Sequence, residues 1–144
     1  MRSLRLLVTF AICVSAFTLH AAESNEGTSA RKAANDVAGA FGNEGFKTRD
    51  GFWSGIIQLH GQAVVAVNLY AGNEYWFSVG ANEKAKKIGV EVFDETGQRM
   101  PTEQYSASEK AAAGFSPTSS GQYFVALSLV EGEAAECCLI YSYK

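Results

Sequence analysis

Side chains able to do chemistry are few in this sequence. It has two histidines and three cysteines among 144 residues. His20 and Cys13 lie within the first 22 residues, so His60, Cys137 and Cys138 are what the rest of the chain offers. Covalent hydrolysis needs a nucleophile, a base and a group that orients the base. Serines are plentiful, but no Gly-x-Ser-x-Gly elbow occurs, and His60, beside Gly61, reads as a surface residue at a strand end. No spacing supports a thiol dyad of His60 with Cys137 or Cys138. Cys137 falls in an apolar row, where thiols are usually inert. One histidine and two adjacent cysteines are too few for a zinc site within one chain. The carboxylate pairs Glu131/Glu133 and Asp94/Glu95 fall on turns, which explains them without acid–base work. No glycine-rich phosphate loop is present. The expectation is a protein with no catalytic residues, no metal site and no cofactor, and so not an enzyme.

Residues suited to recognition are better represented. Trp76, Phe93 and Phe124 each stand one residue out of phase with an apolar row. In strands, that parity turns them away from the core, and large aromatics outside a sheet are candidates for a ligand-binding surface. The competing expectation is that an N-terminal helix, or the segment 99–113, covers them.

The elements that must position these residues follow from periodicity. Ala30, Ala33, Ala34, Val37 and Phe41 keep helical spacing, which predicts a helix beginning at Thr28 or Ser29 with a hydroxyl N-cap and ending at Gly42, Asn43 and Gly45. Its stripe is mostly alanine, so docking through Val37 and Phe41 is expected. After Asp50-Gly51 the period becomes two. Trp53, Ile57 and Leu59 form the first inward row; Val65, Val67 and Leu69 the second; Tyr75, Phe77 and Val79 the third. Ala71-Gly72-Asn73 turns the chain between the last two. Residues 80–87 read as a polar loop in which Lys84, Lys86 and Lys87 make a solvated basic group. Ile88, Val90 and Val92 form the next row, and residues 94–97 a turn. The segment 99–113 admits an edge strand or a loop, with a helix over 106–113 as the alternative, and Phe115 opens a short strand or turn. Tyr123, Val125, Leu127 and Leu129 make the clearest strand. Gly132-Glu133 turns again, and Leu139, Tyr141 and Tyr143 finish with Cys137 on their face. Adjacent strand residues face opposite sides, so a vicinal disulfide of Cys137 and Cys138 would need a strained backbone; two thiols not bonded to each other are expected.

The start of the chain reads as a secretory signal. Arg2 and Arg5 precede an apolar run over 6–19, and Ala21-Ala22 precede the polar Glu23-Ser24-Asn25-Glu26. Cleavage after Ala22 is expected, and the run is too short to make a comfortable membrane span. Ile12 before Cys13 does not suit a lipid-attachment signal. Losing residues 1–22 removes Arg2 and Arg5 and no acid, which moves the formal net charge from −3 to −5. A mildly acidic domain without Lys/Arg clusters lacks the footprint of nucleic-acid binding.

Three phrases carry a resemblance. Leu69-x-Ala71-Gly72-x-x-Tyr75-x-Phe77, then Val90-x-Val92-x-Asp94-x-x-Gly97, then Phe115 with Ser120-Gly121-x-Tyr123-x-Val125, resemble the bacterial pre-peptidase C-terminal domain. The stretch 51–69 with its preceding helix looks closer to stand-alone periplasmic relatives without assigned activity. The resemblance implies a small jelly-roll-like sandwich and spans 53–144. Family members often carry an Asp-x-Asp strand entry associated with calcium. Here the matching stretch is Lys86-Lys87-Ile88-Gly89-Val90-Glu91, a poor set of oxygen ligands for that ion.

The expected protein is thus all-β: a jelly-roll-like antiparallel β-sandwich with an N-terminal helix. Residues 1–22 are a signal peptide, 23–50 a polar segment and helix, and 51–144 the sandwich. The expected function is an exported, non-enzymatic binding or structural module of the cell envelope, periplasmic or extracellular. Its partner would be a glycan, a peptide or another envelope protein, with no nucleic acid and no stable membrane span after signal cleavage. The alternative is a small secreted hydrolase, or a regulator or accessory of a secreted peptidase.

Overall fold

Alternation of apolar and polar residues builds two antiparallel sheets in the computed structural model, which describes residues 24–144; the signal peptide expected over 1–22 lies outside the described residues. The elements run α1 (Asn25–Gly42), β1 (Lys47–Thr48), β2 (Trp53–Ile57), β3 (Gln62–Leu69), β4 (Tyr75–Ala81), β5 (Ala85–Phe93), β6 (Glu103–Ala107), β7 (Lys110–Phe115), β8 (Gly121–Gly132) and β9 (Ala135–Tyr143). The first sheet has the order β1-β9-β4-β7-β6, with β2 also on β9; the second has the order β3-β8-β5. The core lies between the sheets. Phe77, Val79, Val92, Val125 and Leu129 are each fully buried there, at 0% exposure. These are the rows that alternation marks, and burying each such side chain contributes about 1.5–3 kcal/mol.

The neighbour relations β2-β9-β4-β7 and β3-β8-β5 are those of a jelly roll. The departure is β6. In a regular roll, the strand between β5 and β7 completes the second sheet, but here β6 folds back on β7 at the edge of the first. The open side of β5 is covered instead by the chain that leads to β6. Phe93 bridges to Arg99, Met100 N donates to Val92 O at 2.8 Å, and the Gln104 side chain donates to Val90 O at 3.1 Å.

Several expectations are corrected. The helix begins a turn earlier than Thr28 or Ser29, because Ser24 caps it by accepting from Gly27 N at 3.0 Å. It docks through the expected Val37, which is buried, and Phe41, which meets Trp76, but also through its alanines. Ala30, Ala34 and Ala38 meet Cys138 and Ile140 on the outer face of the first sheet. Gly80 makes that approach possible, since a Cβ there would collide with backbone atoms of Ala30, Ala33 and Ala34. An alanine stripe is therefore the requirement for a helix lying this close to a sheet, whereas Phe41 remains half-buried. The expected 80–87 loop is mostly strand, because β4 runs to Ala81 and β5 starts at Ala85. Residues 103–115 form the β6–β7 hairpin, which excludes helix over 106–113, and Phe115 ends a strand rather than opening one. Ser108, with a φ of 53°, supplies the left-handed residue of the hairpin turn. Leu59 is exposed at 43%, outside the inward row assigned to it. Pairing of Lys47–Thr48 with β9 brings the sandwich in ahead of residue 51.

Candidate functional site

The three aromatic residues marked by parity do not meet. Trp76 lies on the outer face of β4, in the first sheet. Its ring crosses Gly114 of β7, where a Cβ would stand 2.9 Å from the indole, and Phe41 of α1 stacks on it with centroids 4.0 Å apart and planes 7° from parallel. Trp76 is thus held between helix and strand. Phe93 and Phe124 are directly opposed across β5 and β8, on the outer face of the second sheet, and both are half-buried. Parity tells which side of a strand a residue takes, but not which sheet the strand joins. That is why the single three-ring patch does not form.

A different constellation gathers at the edge between the sheets. Its residues come from three distant stretches of sequence. Thr48 ends β1, and Arg49 and Asp50 lead toward β2. Tyr70 follows β3, while Asn73 and Tyr75 flank the reversal into β4. Tyr143 ends β9. Pairing of β9 with both β1 and β4 places Tyr143 beside Lys47 on one side and Tyr75 on the other. The end of β9 is clamped by Glu74 N to Lys144 O at 2.9 Å and Lys144 N to Glu74 O at 3.0 Å. Arg49 N donates to Tyr141 O at 3.0 Å, which holds the Arg49–Asp50 segment along the same strand. Gly72, with a φ of 92°, makes the reversal after Tyr70.

Together these seven residues line a cleft of 570 Å³. Tyr70 and Tyr143 are exposed at 59% and 38%. Tyr75 is buried, and its hydroxyl accepts from Tyr70 N at 2.9 Å and from Asn73 Nδ2 at 3.2 Å. The Arg49 guanidinium lies 5.5 Å over the Tyr141 ring. Burial raises the Tyr141 phenol above its ordinary value, so it stays protonated at neutral pH. The cleft offers two ring faces, a guanidinium, a carboxylate, an amide and hydroxyls. That is the mixture of apolar wall and few placed polar groups found in small-ligand sites.

Comparison with known proteins adds little to this geometry. No family model matches the chain, and no curated protein matches it. Among solved structures, a chain described as "CBM4 structure and function" is similar at 20% identity, over 71% of this chain and 78% of that one, with a TM-score of 0.40. The pre-peptidase resemblance is met in its β-sandwich, while its family assignment has no match behind it.

The residues tested for catalysis sit apart from the cleft. His60 is exposed in the turn before β3, with a φ of 62°, and its N–H donates to Leu129 O at 2.9 Å. Cys137 faces the core between the sheets, whereas Cys138 faces the alanines of α1, and no disulfide joins the two. Burial pushes the Cys137 thiol up to about 12, with Glu136 and Cys138 adding to the effect. Among the described residues, no group of three or more His, Cys, Asp or Glu side chains converges in a way that could hold a metal ion, and no helix is long and apolar enough to cross a membrane.

Sequence reasoning passed over Arg49, Asp50, Tyr70, Asn73 and Tyr143. The available signal was Tyr70, an aromatic one step out of phase after Leu69 and beside a Gly-bearing turn. Its partners are brought in only by the pairing of β9.

Proposed function

We propose that the protein is an exported, non-enzymatic binding module of the cell envelope whose ligand seat is the cleft between Tyr70 and Tyr143. One observation carries this reading: two exposed tyrosine rings flank a cleft that also presents Arg49, Asp50 and Asn73 on clamped strand ends. Exposed tyrosines supply contact area at low entropy cost, and preorganised polar groups supply orientation. Export is supported by Arg2, Arg5, the apolar run and Ala21-Ala22. A non-catalytic role is supported by the cleft's content, which includes a single carboxylate and neither His60 nor a thiol.

Amide chemical-shift mapping tests the seat. Titration with envelope glycans and peptides should shift resonances at 48–50, 70–75 and 143, and Tyr70→Ala should abolish those shifts without altering the rest of the spectrum. Ligand-induced shifts confined to other surfaces would refute the seat.

A second reading is favoured by the pairing of Phe93 with Phe124 on the outer face of the second sheet, a sheet that also carries Val64 at 58% exposure. In that reading, Phe124→Ala weakens binding and Tyr70→Ala does not. Trp76, stacked under Phe41, keeps a structural role in both.

A further inference from the structure

We infer that the cleft selects a neutral saccharide, an inference that rests on the cleft being the ligand seat. Arg49 and Asp50 are chain neighbours, and both line the cleft. Among the described residues, neither forms an ion pair. Arg49 rests over the Tyr141 ring, and Asp50 accepts no hydrogen bond from any described residue. An anionic ligand drawn to Arg49 meets Asp50, and a cationic ligand drawn to Asp50 meets Arg49. Juxtaposed opposite charges of this kind discriminate against either sign. Of the nearby ions, Glu74 and Lys144 are already paired with each other at 3.2 Å, and Lys47, beside Tyr143, does not line the cleft.

A ligand without net charge satisfies both groups if it brings donors for the carboxylate and acceptors for the guanidinium. A hydroxyl does both with one atom. The other polar groups extend the requirement. Tyr75 Oη already accepts two hydrogen bonds, so its own hydrogen is the donor left over. Asn73 gives Nδ2 to Tyr75, which leaves its amide oxygen as an acceptor. A purely apolar side chain entering here would strip water from these groups and return nothing. The rings of Tyr70 and Tyr143 ask in turn for an apolar face. A pyranose joins the two demands: hydroxyls around its rim and C–H groups on its faces. The 570 Å³ of the cleft falls in the range of about 300–1,000 Å³ usual for small-ligand sites.

The test is isothermal titration calorimetry of the mature chain. The probes are neutral oligomers of β-glucan, xylan, α-glucan and N-acetylglucosamine, with oligogalacturonate and tri-lysine as charged ones. At least one neutral oligomer should bind, with an affinity that changes less than about twofold as NaCl rises from about 50 to about 500 mM. Tyr70→Ala and Tyr143→Ala should each weaken it about tenfold or more. Tighter, salt-sensitive binding of oligogalacturonate or tri-lysine that is lost in Tyr70→Ala would overturn the ligand class and leave the seat standing. Binding of no neutral oligomer would also overturn the class. Neutral binding unaffected by both tyrosine variants would overturn the seat.

Discussion

Phe41 and Trp76 stack with their ring centroids 4.0 Å apart and their planes 7° from parallel, which joins the last turn of the helix to the outer face of the first sheet. This pair is what anchors the helix end, since the alanines upstream bury little area each. Gly114 completes the arrangement by letting the indole lie flat across β7.

Truncating either ring should therefore cost stability. Trp76→Ala and Phe41→Ala are each expected to lose about 2–3 kcal/mol, below the usual cost of a fully buried aromatic because both rings are half-exposed. The double variant should lose less than the sum, since each single change removes the same contact. Urea denaturation of the three variants measures this. Additive losses would mean that the rings stabilise the fold independently.

The inward rows make a sharper contrast. Val125 is fully buried on β8, while Gln122 is exposed on the same strand. Val125→Asp places an unpaired carboxylate between the sheets, at a cost of several kcal/mol by order of magnitude, enough to unfold a domain of this size. Gln122→Asp should stay within about 0.5 kcal/mol of the parent. Similar melting curves for the two variants would contradict the assigned strand facing.

That contrast also marks what was legible in the sequence. Rows such as Tyr123, Val125, Leu127 and Leu129 could be read because one face is core and the other solvent, so alternation is visible. The β6–β7 hairpin could not. Its outer strand is exposed throughout, and Ala111, Ala112 and Ala113 are buried on both faces, so neither strand alternates. Alanine is also a weak strand former, and its role here, thinness between core and helix, appears only once the layers are assembled. The cleft was illegible for a different reason. Arg49, Tyr70 and Tyr143 share no spacing, and long-range pairing of β9 is what makes them neighbours.

The cysteines give a chemical test of the same layering. Cys137 and Cys138 face opposite sides of β9 and are buried under different layers. The Cys137 thiol, raised to about 12 chiefly by burial, is protonated at neutral pH. Iodoacetamide should leave both thiols unmodified in the native protein and alkylate both after denaturation. Because the folded value lies above the ordinary 9.0, the stability that Cys137 contributes is complete below about 9 and declines as pH rises toward about 12. Cys137→Ala should lack that part of the alkaline loss. Rapid native alkylation, or an unchanged alkaline profile in the variant, would contradict the burial.

The most direct test of the ligand seat separates binding from folding at one residue. Tyr70 is exposed at 59%, so Tyr70→Ala should leave the melting temperature within the range of a surface change, about 0.5 kcal/mol in stability. Calorimetric titration with a neutral oligosaccharide that binds the parent should show affinity weakened about tenfold or more in the same variant. Unchanged affinity at unchanged stability would contradict the central claim that the cleft between Tyr70 and Tyr143 holds the ligand.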